Sequence, residues 1–264
     1  MSPAVVFTAG LDIDVFVLYN LRMAIKRHFF NLLRWVTPSQ SMRHKLRVFA
    51  NYDTDACIDF VRKNCGIKNP TIKTHTGWGA KNLVVVADDA VVFKFPLVRR
   101  RYDAPIRERR MIDAFVGPDI ARTMKFGDAN VLVYPFVRGC VMTDLPRDIV
   151  RANAAKIGAG LGRRIFEMGR RDPAELADLK PQDARAPGFM YGWFHNDIGG
   201  NFIINPKTMD FVGFIDWESA QYCDFRGDFR RAFRHMWRRG YGDVIKHAAY
   251  EYCRLWRDAA ARHH

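Results

Sequence analysis

The sequence predicts an α+β fold in two lobes, a small antiparallel sheet lobe with one key helix followed by a mainly helical lobe. Two observations carry this prediction. Residues 72–95 contain alternating and β-branched runs separated by short turns, whereas residues 149–169 and 226–262 have the spacing of amphipathic helices. Strands that are followed by helices, instead of alternating with them, are typical of α+β folds.

The small lobe is predicted over residues 67–138. Turn residues, glycine and proline mark the ends of its elements. The predicted strands and the one predicted helix (103–116) cover residues 72–76, 83–86, 91–95, 103–116, 123–126 and 131–136. A hinge between the lobes is expected near residues 134–140.

The second lobe is predicted over residues 139–264, with short strands at 202–204 and 212–215. Residues 1–66 are predicted to form an N-terminal helical extension. Within it, residues 21–50 mix arginine and lysine with large apolar side chains. Such a helix can lie on an anionic membrane, or it can pack its apolar stripe on the core. Both interpretations remain open at this point.

The formal net charge is +14, which favours anionic partners such as nucleotide phosphates, phosphosugars or acidic lipids. A solvated basic surface is the alternative. No zinc finger or other specific nucleic-acid motif is present, so no specific nucleic-acid partner is expected. The five cysteines form no C-x-x-C pair, which indicates free thiols and a cytoplasmic protein. Neither a secretory signal nor a membrane span is predicted.

Three oxygen-bearing side chains follow short apolar runs in the second lobe. Asp197 and Asn201 stand in the stretch 193–204, and Asp216 follows the strand 212–215. Carboxylate and amide oxygens are the ligands that Mg²⁺ prefers when phosphate oxygens complete its shell. A further carboxylate can orient an attacking hydroxyl group.

This arrangement resembles the protein-kinase-like superfamily, especially its aminoglycoside phosphotransferase and choline kinase branch. That branch has a His-x-Asp loop, a following Asn and an Ile-Asp-Trp-Glu-like motif, which are similar to residues 195–197, Asn201 and 215–218. The resemblance implies ATP and Mg²⁺ as cofactors, Asp197 as the catalytic base, and Asn201 and Asp216 as the metal ligands.

The resemblance assigns two supporting roles and a set of nucleotide-binding residues. His195 would support the loop and Asp228 would brace it. Lys94 and Glu108 would form an ion pair that holds the lysine at the phosphates, and both are therefore counted as catalytic. The residues implied to contact the nucleotide are Gly77, Gly79, Lys94, Tyr134 and Phe136.

The predicted function is phosphoryl transfer from ATP to a hydroxyl group of a small molecule, such as a sugar, an aminoglycoside-like compound, an amino alcohol or a lipid-linked saccharide. Arginines in residues 226–239 favour an anionic acceptor, although arginine stems can also simply cover a helix surface. An atypical bacterial protein kinase is one alternative, but no Ala-Pro-Glu motif follows Asp216. A catalytically silent nucleotide-binding scaffold is another, because Asp197 and Asn201 are one residue closer than the family usually has them.

Overall fold

The computed structural model describes residues 53–75, 81–97 and 99–262, which form a sheet lobe and a mainly helical lobe. The predicted two-lobed α+β fold is confirmed. The sheet of the small lobe is antiparallel, with strand order β1-β2-β3-β5-β4. Its strands are β1 Ile72–His75, β2 Asn82–Ala87, β3 Val91–Pro96, β4 Arg122–Phe126 and β5 Ala129–Pro135.

Helix α1, Thr54–Asn64, packs on this sheet. Its buried side chains share the core of the small lobe, where Phe60 meets the rings of Phe93, Phe95 and Phe126 edge-on. The prediction counted this helix with the extension 1–66, because contacts between a helix and a distant sheet leave no local signal. Residues 1–52, including the basic stretch 21–50, lie outside the described residues, and the domain limits stay predictions.

Helix α2, Ala104–Phe115, connects the two lobes. Its start is fixed by Asn130, whose side-chain amide donates to Asp103 Oδ1 at 2.9 Å. The apolar side chains at its other end, Met111, Ile112 and Phe115, belong to the core of the large lobe. The helix therefore contacts the sheet lobe at one end and the core of the large lobe at the other.

The large lobe contains four helices among the described residues and two small antiparallel sheets. The helices are α3 Arg147–Ala152, α4 Ala154–Arg170, α5 Phe225–Arg238 and α6 Gly242–Ala261. One sheet pairs β7 Tyr191–Phe194 with β10 Gln221–Asp224. The other contains β6 Cys140–Val141, β8 Phe202–Ile204 and β9 Phe211–Phe214.

Two predicted helices are divided in the structure. The predicted helix 149–169 breaks at Asn153, whose side-chain amide donates to the carbonyl of Ile149 at 2.9 Å and competes with the backbone ladder. The stretch 226–262 is interrupted at Gly240, where φ is +83° and glycine is favoured. None of the helices in the described ranges is long and apolar enough to span a bilayer.

Glycines allow α4 and α6 to approach closely. A Cβ atom added at Gly162 would overlap the carbonyl oxygen of Ala248. We expect Gly162→Ala to lower the free energy of unfolding by about 1–3 kcal/mol, because the two helices must separate. Gly227→Ala is the matched control, since Gly227 lies on α5 with open space around it and should lose no stability. Urea denaturation measures both, and equal stability of the two variants would contradict the close approach.

Candidate active site

Lys94 and Glu108 form a buried ion pair between β3 and α2. Lys94 Nζ donates to both carboxylate oxygens of Glu108, at 2.9 and 2.8 Å. Both side chains are almost fully buried. Burial raises the pKa of Glu108, and the contact with Lys94 opposes this rise. A charge that is removed from water needs a partner of this kind.

Two further carboxylates surround the same ammonium group. Asp216 Oδ1 accepts a hydrogen bond from Lys94 Nζ, and Glu218 Oε2 lies 3.8 Å from it. Burial disfavours the charge of Lys94, but Glu108 and then Asp216 outweigh this effect and raise its pKa. One oxygen from each of the three acids lies within 4.8 Å of the others. All three lie within ion-pair distance of Lys94 Nζ, so in this structure the ammonium group holds the acidic cluster together.

Helix α2 also contacts the turn that follows Asp216. Trp217 N donates to Glu108 Oε1 at 3.1 Å, and the buried Trp217 ring stacks on Phe115 with the centroids 5.9 Å apart. Arg107 donates to the backbone carbonyls of Glu218, at 2.8 Å, and Ala220. These contacts fix the ion pair and Asp216 relative to each other.

Glu218 links the two lobes, a role that the sequence analysis did not assign. Its carboxylate accepts from Lys81 Nζ at 2.8 Å, from Asn82 Nδ2 at 3.3 Å and from Arg101 at 2.8 Å. Burial alone would raise the pKa of Glu218, but Lys94, Lys81 and Arg101 lower it. The motif 215–218 indicated that Glu218 lies near Asp216, but nothing in the sequence indicated the partners of Glu218.

His195 holds the loop that carries Asp197. The buried ring donates from Nε2 to the carbonyl of Ile215 at 3.0 Å and stacks on Phe214. Burial lowers the pKa of His195 to about 4, so the ring is neutral near pH 7. The loop is thereby attached to the strand that leads to Asp216, which agrees with the supporting role implied by the resemblance.

The loop folds back on itself despite the short spacing between Asp197 and Asn201. Asn201 Nδ2 donates to the backbone carbonyl of Asp197 at 2.9 Å, and Gly200 has a φ of +137°. Because its amide nitrogen is used in the loop, Asn201 has its Oδ1 atom left as a ligand. Burial, and then the charge of Asp216, raise the pKa of Asp197.

Asp228 on α5 braces this loop from below. Its buried carboxylate accepts from Asn196 N at 2.8 Å, where Asn196 has a φ of +59°. The carboxyl group therefore stabilises a backbone conformation that residues other than glycine rarely adopt. Burial raises the pKa of Asp228 to about 7.

This raised pKa predicts a pH dependence. Between about pH 4 and 7 the folded chain keeps a proton on Asp228 that the unfolded chain has lost, so stability falls as pH rises through this range. Relative to Asp228→Asn, the wild type should lose up to about 1.4 kcal/mol per pH unit and then level off above pH 7. Urea denaturation from pH 5 to 8 measures the difference. If the stability difference between the wild type and Asp228→Asn stayed constant across this range, the raised pKa would be contradicted. Asp210→Asn, at an exposed carboxylate, is the control, and its stability difference from the wild type should not change with pH.

A cleft of about 530 Å³ lies between the lobes. Lys94, Asn201 and Asp216 contribute its polar wall, and Tyr134 and Phe136 also line it. The aliphatic side chains that line it come from both lobes: Val84, Val86, Val92, Val137, Val141, Ile203 and Ile215. A cleft of this size with apolar walls and a few polar groups suits a nucleotide.

Not every predicted site residue is found in the cleft. Gly77 and Gly79 lie outside the described residues. Asp197 is not among the residues that line the cleft, and the charge of Lys81 opposes the rise in its pKa. The backbone N–H of Phe136 donates to Ala90 at 2.8 Å, so it cannot also bind a base.

Comparison with known proteins gives one matching family model and several similar structures. Residues 138–262 match the model of a phosphotransferase enzyme family, APH. Type VIII aminoglycoside-3'-phosphotransferase is similar in structure, with a TM-score of 0.52 and 17% identity over 77% of this chain and 92% of that one. The chain has the protein-kinase-like fold of the aminoglycoside phosphotransferase branch.

Two further structures share this fold. The GDP and kanamycin complex of APH(2")-IIia has a TM-score of 0.52 and 13% identity over 76% of this chain and 83% of that one. Macrolide 2'-phosphotransferase MphH from Brachybacterium faecium has a TM-score of 0.51 and 14% identity over 76% and 82%. None of the curated proteins matches the sequence significantly. At these identities the structural likeness establishes the phosphotransferase-type fold, and the acceptor must be argued from the site.

Proposed function

We propose that this protein is an ATP- and Mg²⁺-dependent phosphotransferase that acts on a hydroxyl group of a small molecule. One observation carries the proposal: Lys94, which the buried Glu108 holds in place, lines the same cleft as the potential metal ligands Asn201 and Asp216. Asp197 stands on the same loop as Asn201. A structure of this fold in complex with GDP and kanamycin supports a nucleotide and a small hydroxyl compound as substrates.

The cleft offers separate places for the base and the phosphates of a nucleotide. The aliphatic side chains would pack on the two faces of a purine ring, and Tyr134 and Phe136 would lie near its edge. Lys94 would exchange its contact with Asp216 for phosphate oxygens while Glu108 keeps it in place. This exchange needs no large movement, because Lys94 already lines the cleft.

The residues at the phosphate end fit a magnesium ion. The side chain of Asp216 is 35% exposed. Asp216 and Asn201 both line the cleft, and both carry oxygen atoms of the kind that bind Mg²⁺. Bound Mg²⁺ would neutralise the charge that develops on the phosphate oxygens. Asp216 and Asn201 would fix its position relative to Asp197.

Asp197 would orient the acceptor and take its proton. The hydroxyl oxygen attacks the terminal phosphorus of ATP, the bond from that phosphorus to the bridging oxygen breaks, and ADP leaves. The hydroxyl proton passes to Asp197, whose raised pKa makes it a better base than a fully solvated aspartate. The chain has both the proposed base, Asp197, and the proposed metal ligand Asp216, which favours an active enzyme over a catalytically silent scaffold.

The setting of the reaction belongs to the same proposal. All five cysteines are unpaired, and ATP is an intracellular compound, so we place the enzyme in the cytoplasm. A peripheral contact with an anionic membrane would come from residues 21–50, outside the described residues. A test by truncation should end before Asp53, because α1 belongs to the core of the small lobe.

The role of Asp216 predicts how nucleotide binding depends on the metal. We expect the melting temperature of the wild type to rise with ATP and to rise further with Mg²⁺, because a ligand at about 100 times its Kd adds about 2.7 kcal/mol of stability. Asp216→Asn should lose the contribution of Mg²⁺. Asp210→Asn, on the exposed β8–β9 turn, should keep it. Retention of the full magnesium effect in Asp216→Asn would remove Asp216 from the metal site.

A further inference from the structure

A basic groove of about 680 Å³ lies on the large lobe beside the Asp197 loop. It is lined by α5 and the residue that follows it. The charged or titratable side chains in this groove, called the arginine groove below, are Arg230, Arg231, Arg234, His235, Arg238 and Arg239. All of them are exposed.

The arginines form two rows along the helix. Arg230, Arg234 and Arg238 are spaced four residues apart and therefore lie on one face, and Arg231 and Arg239 flank this row. Like charges at this spacing repel each other and destabilise a helix. Other arginines of the large lobe have acidic partners: Arg226 pairs with Asp224, and Arg254 pairs with Glu251.

The positive charge of the arginine groove is not neutralised within the part of the chain that the structure describes. No acidic side chain lines it, and Arg230, Arg234, Arg238 and Arg239 form no ion pair with a described residue. Arginines that merely cover a helix surface often pair with nearby carboxylates, as Arg254 does with Glu251, whereas these four do not pair with any carboxylate that the structure describes. The repulsion is offset when an anion binds between the rows.

The arginine groove reaches the catalytic loop. Arg231 donates to the carbonyl of Asn196 at 3.1 Å, and the ring of His235 packs against Gly199. Asp197 lies between these two positions in the chain. An anion in the groove would therefore lie next to the group that receives the acceptor hydroxyl.

We propose that the acceptor already carries a phosphate group, which the arginine groove binds so that a hydroxyl of the same molecule reaches Asp197. This inference rests on the proposed function and narrows its acceptor to phosphorylated compounds. The planar fork of arginine matches phosphate oxygens in pairs, and several arginines suit a group with two negative charges. A polycation such as an aminoglycoside would be repelled. The phosphate can belong to a soluble ester or to a lipid headgroup.

Calorimetry with inositol hexakisphosphate, a polyanion without a free hydroxyl, tests the binding site. The full chain is first saturated with Mg²⁺ and a non-hydrolysable ATP analogue, so that the nucleotide cleft is occupied. We expect the wild type to bind, and Arg234→Ala/Arg238→Ala to bind about tenfold or more weakly, since charge-assisted hydrogen bonds are lost. Arg163→Ala/Arg257→Ala removes the same charge from exposed positions on α4 and α6 and should bind like the wild type. Absence of binding, or equal weakening in both double variants, would overturn the proposal.

The product of the reaction tests the role of the arginine groove in catalysis. After incubation with ATP and a cell extract of small molecules and lipids, the newly formed compound should contain at least two phosphate groups by mass spectrometry. A product with a single phosphate would overturn the proposal. A product in the lipid phase that contains two or more phosphates would support it and assign the first phosphate to a headgroup. Failure of ATP to raise the melting temperature would instead refute the proposed function, while anion binding to the arginine groove would be unaffected.

Discussion

Asp197→Asn should lower kcat for phosphoryl transfer by about 10²–10⁴-fold, the usual contribution of a positioned general base. Asparagine preserves the size of the side chain but cannot accept the hydroxyl proton. The loop should remain folded, because Asn201 Nδ2 also donates to the backbone carbonyl of Asp197, which the substitution keeps, and because His195 and Asp228 hold the loop from other positions.

Initial rates of ADP formation measure this effect, and calorimetric titration with ATP measures nucleotide affinity. We expect ATP affinity to be unchanged, because Asp197 is not among the residues that line the cleft. Asp210→Asn is the matched control, since it makes the same chemical change at an exposed carboxylate that contacts Lys156. A variant at Asp197 that kept wild-type kcat would exclude it as the base.

Lys94→Met should cost both activity and stability. Methionine leaves Glu108 buried without its cation, and breaking a buried pair in this way lowers the free energy of unfolding by about 3–5 kcal/mol. The loss should be smaller at pH 5 than at pH 8. Without the lysine, the pKa of Glu108 is raised further by burial, so this group becomes neutral more easily as pH falls.

A second substitution separates the two effects. In Lys94→Met/Glu108→Gln the buried charge is gone, while the glutamine oxygen can still accept from Trp217 N. We expect this double variant to recover most of the stability in urea denaturation but to have no measurable transfer activity. Lys73→Met, which removes an exposed pair with Asp89, should change stability by less than about 1 kcal/mol. Full activity in the double variant would show that Lys94 does not contact the phosphates.

The sequence was sufficient for the elements whose signals are local. Strand β3 was predicted because Val91, Phe93 and Phe95 alternate around Lys94, and α2 because its apolar residues recur at helical spacing. The division of the predicted helix 149–169 at Asn153 was missed, since the apolar pattern continues across the break and only a local side-chain hydrogen bond marks it. Strands β7 and β10 were also missed, because they are short and pair with each other although β8 and β9 lie between them in the sequence.

The candidate site was predictable to a different degree at each residue. The sequence order placed Lys94, Asp197 and Asp216 by resemblance, and the structure brings Lys94 and Asp216 into contact. Glu218 was missed because its partners Lys81 and Arg101 stand 137 and 117 residues away. The sequence showed that α5 is rich in arginine. The position of these arginines beside the catalytic loop could not be predicted, because it depends on how α5 packs against that loop.

The most direct test of a small-molecule phosphotransferase is the destination of the terminal phosphate of ATP. Wild type and Asp197→Asn are each incubated with Mg²⁺, ATP labelled with ³²P at the terminal phosphate, and a cell extract divided into protein and small-molecule fractions. We predict label in a small organic compound with the wild type, little in protein, and almost none in either fraction with Asp197→Asn. Label confined to protein, or equal transfer by the two proteins, would contradict this account.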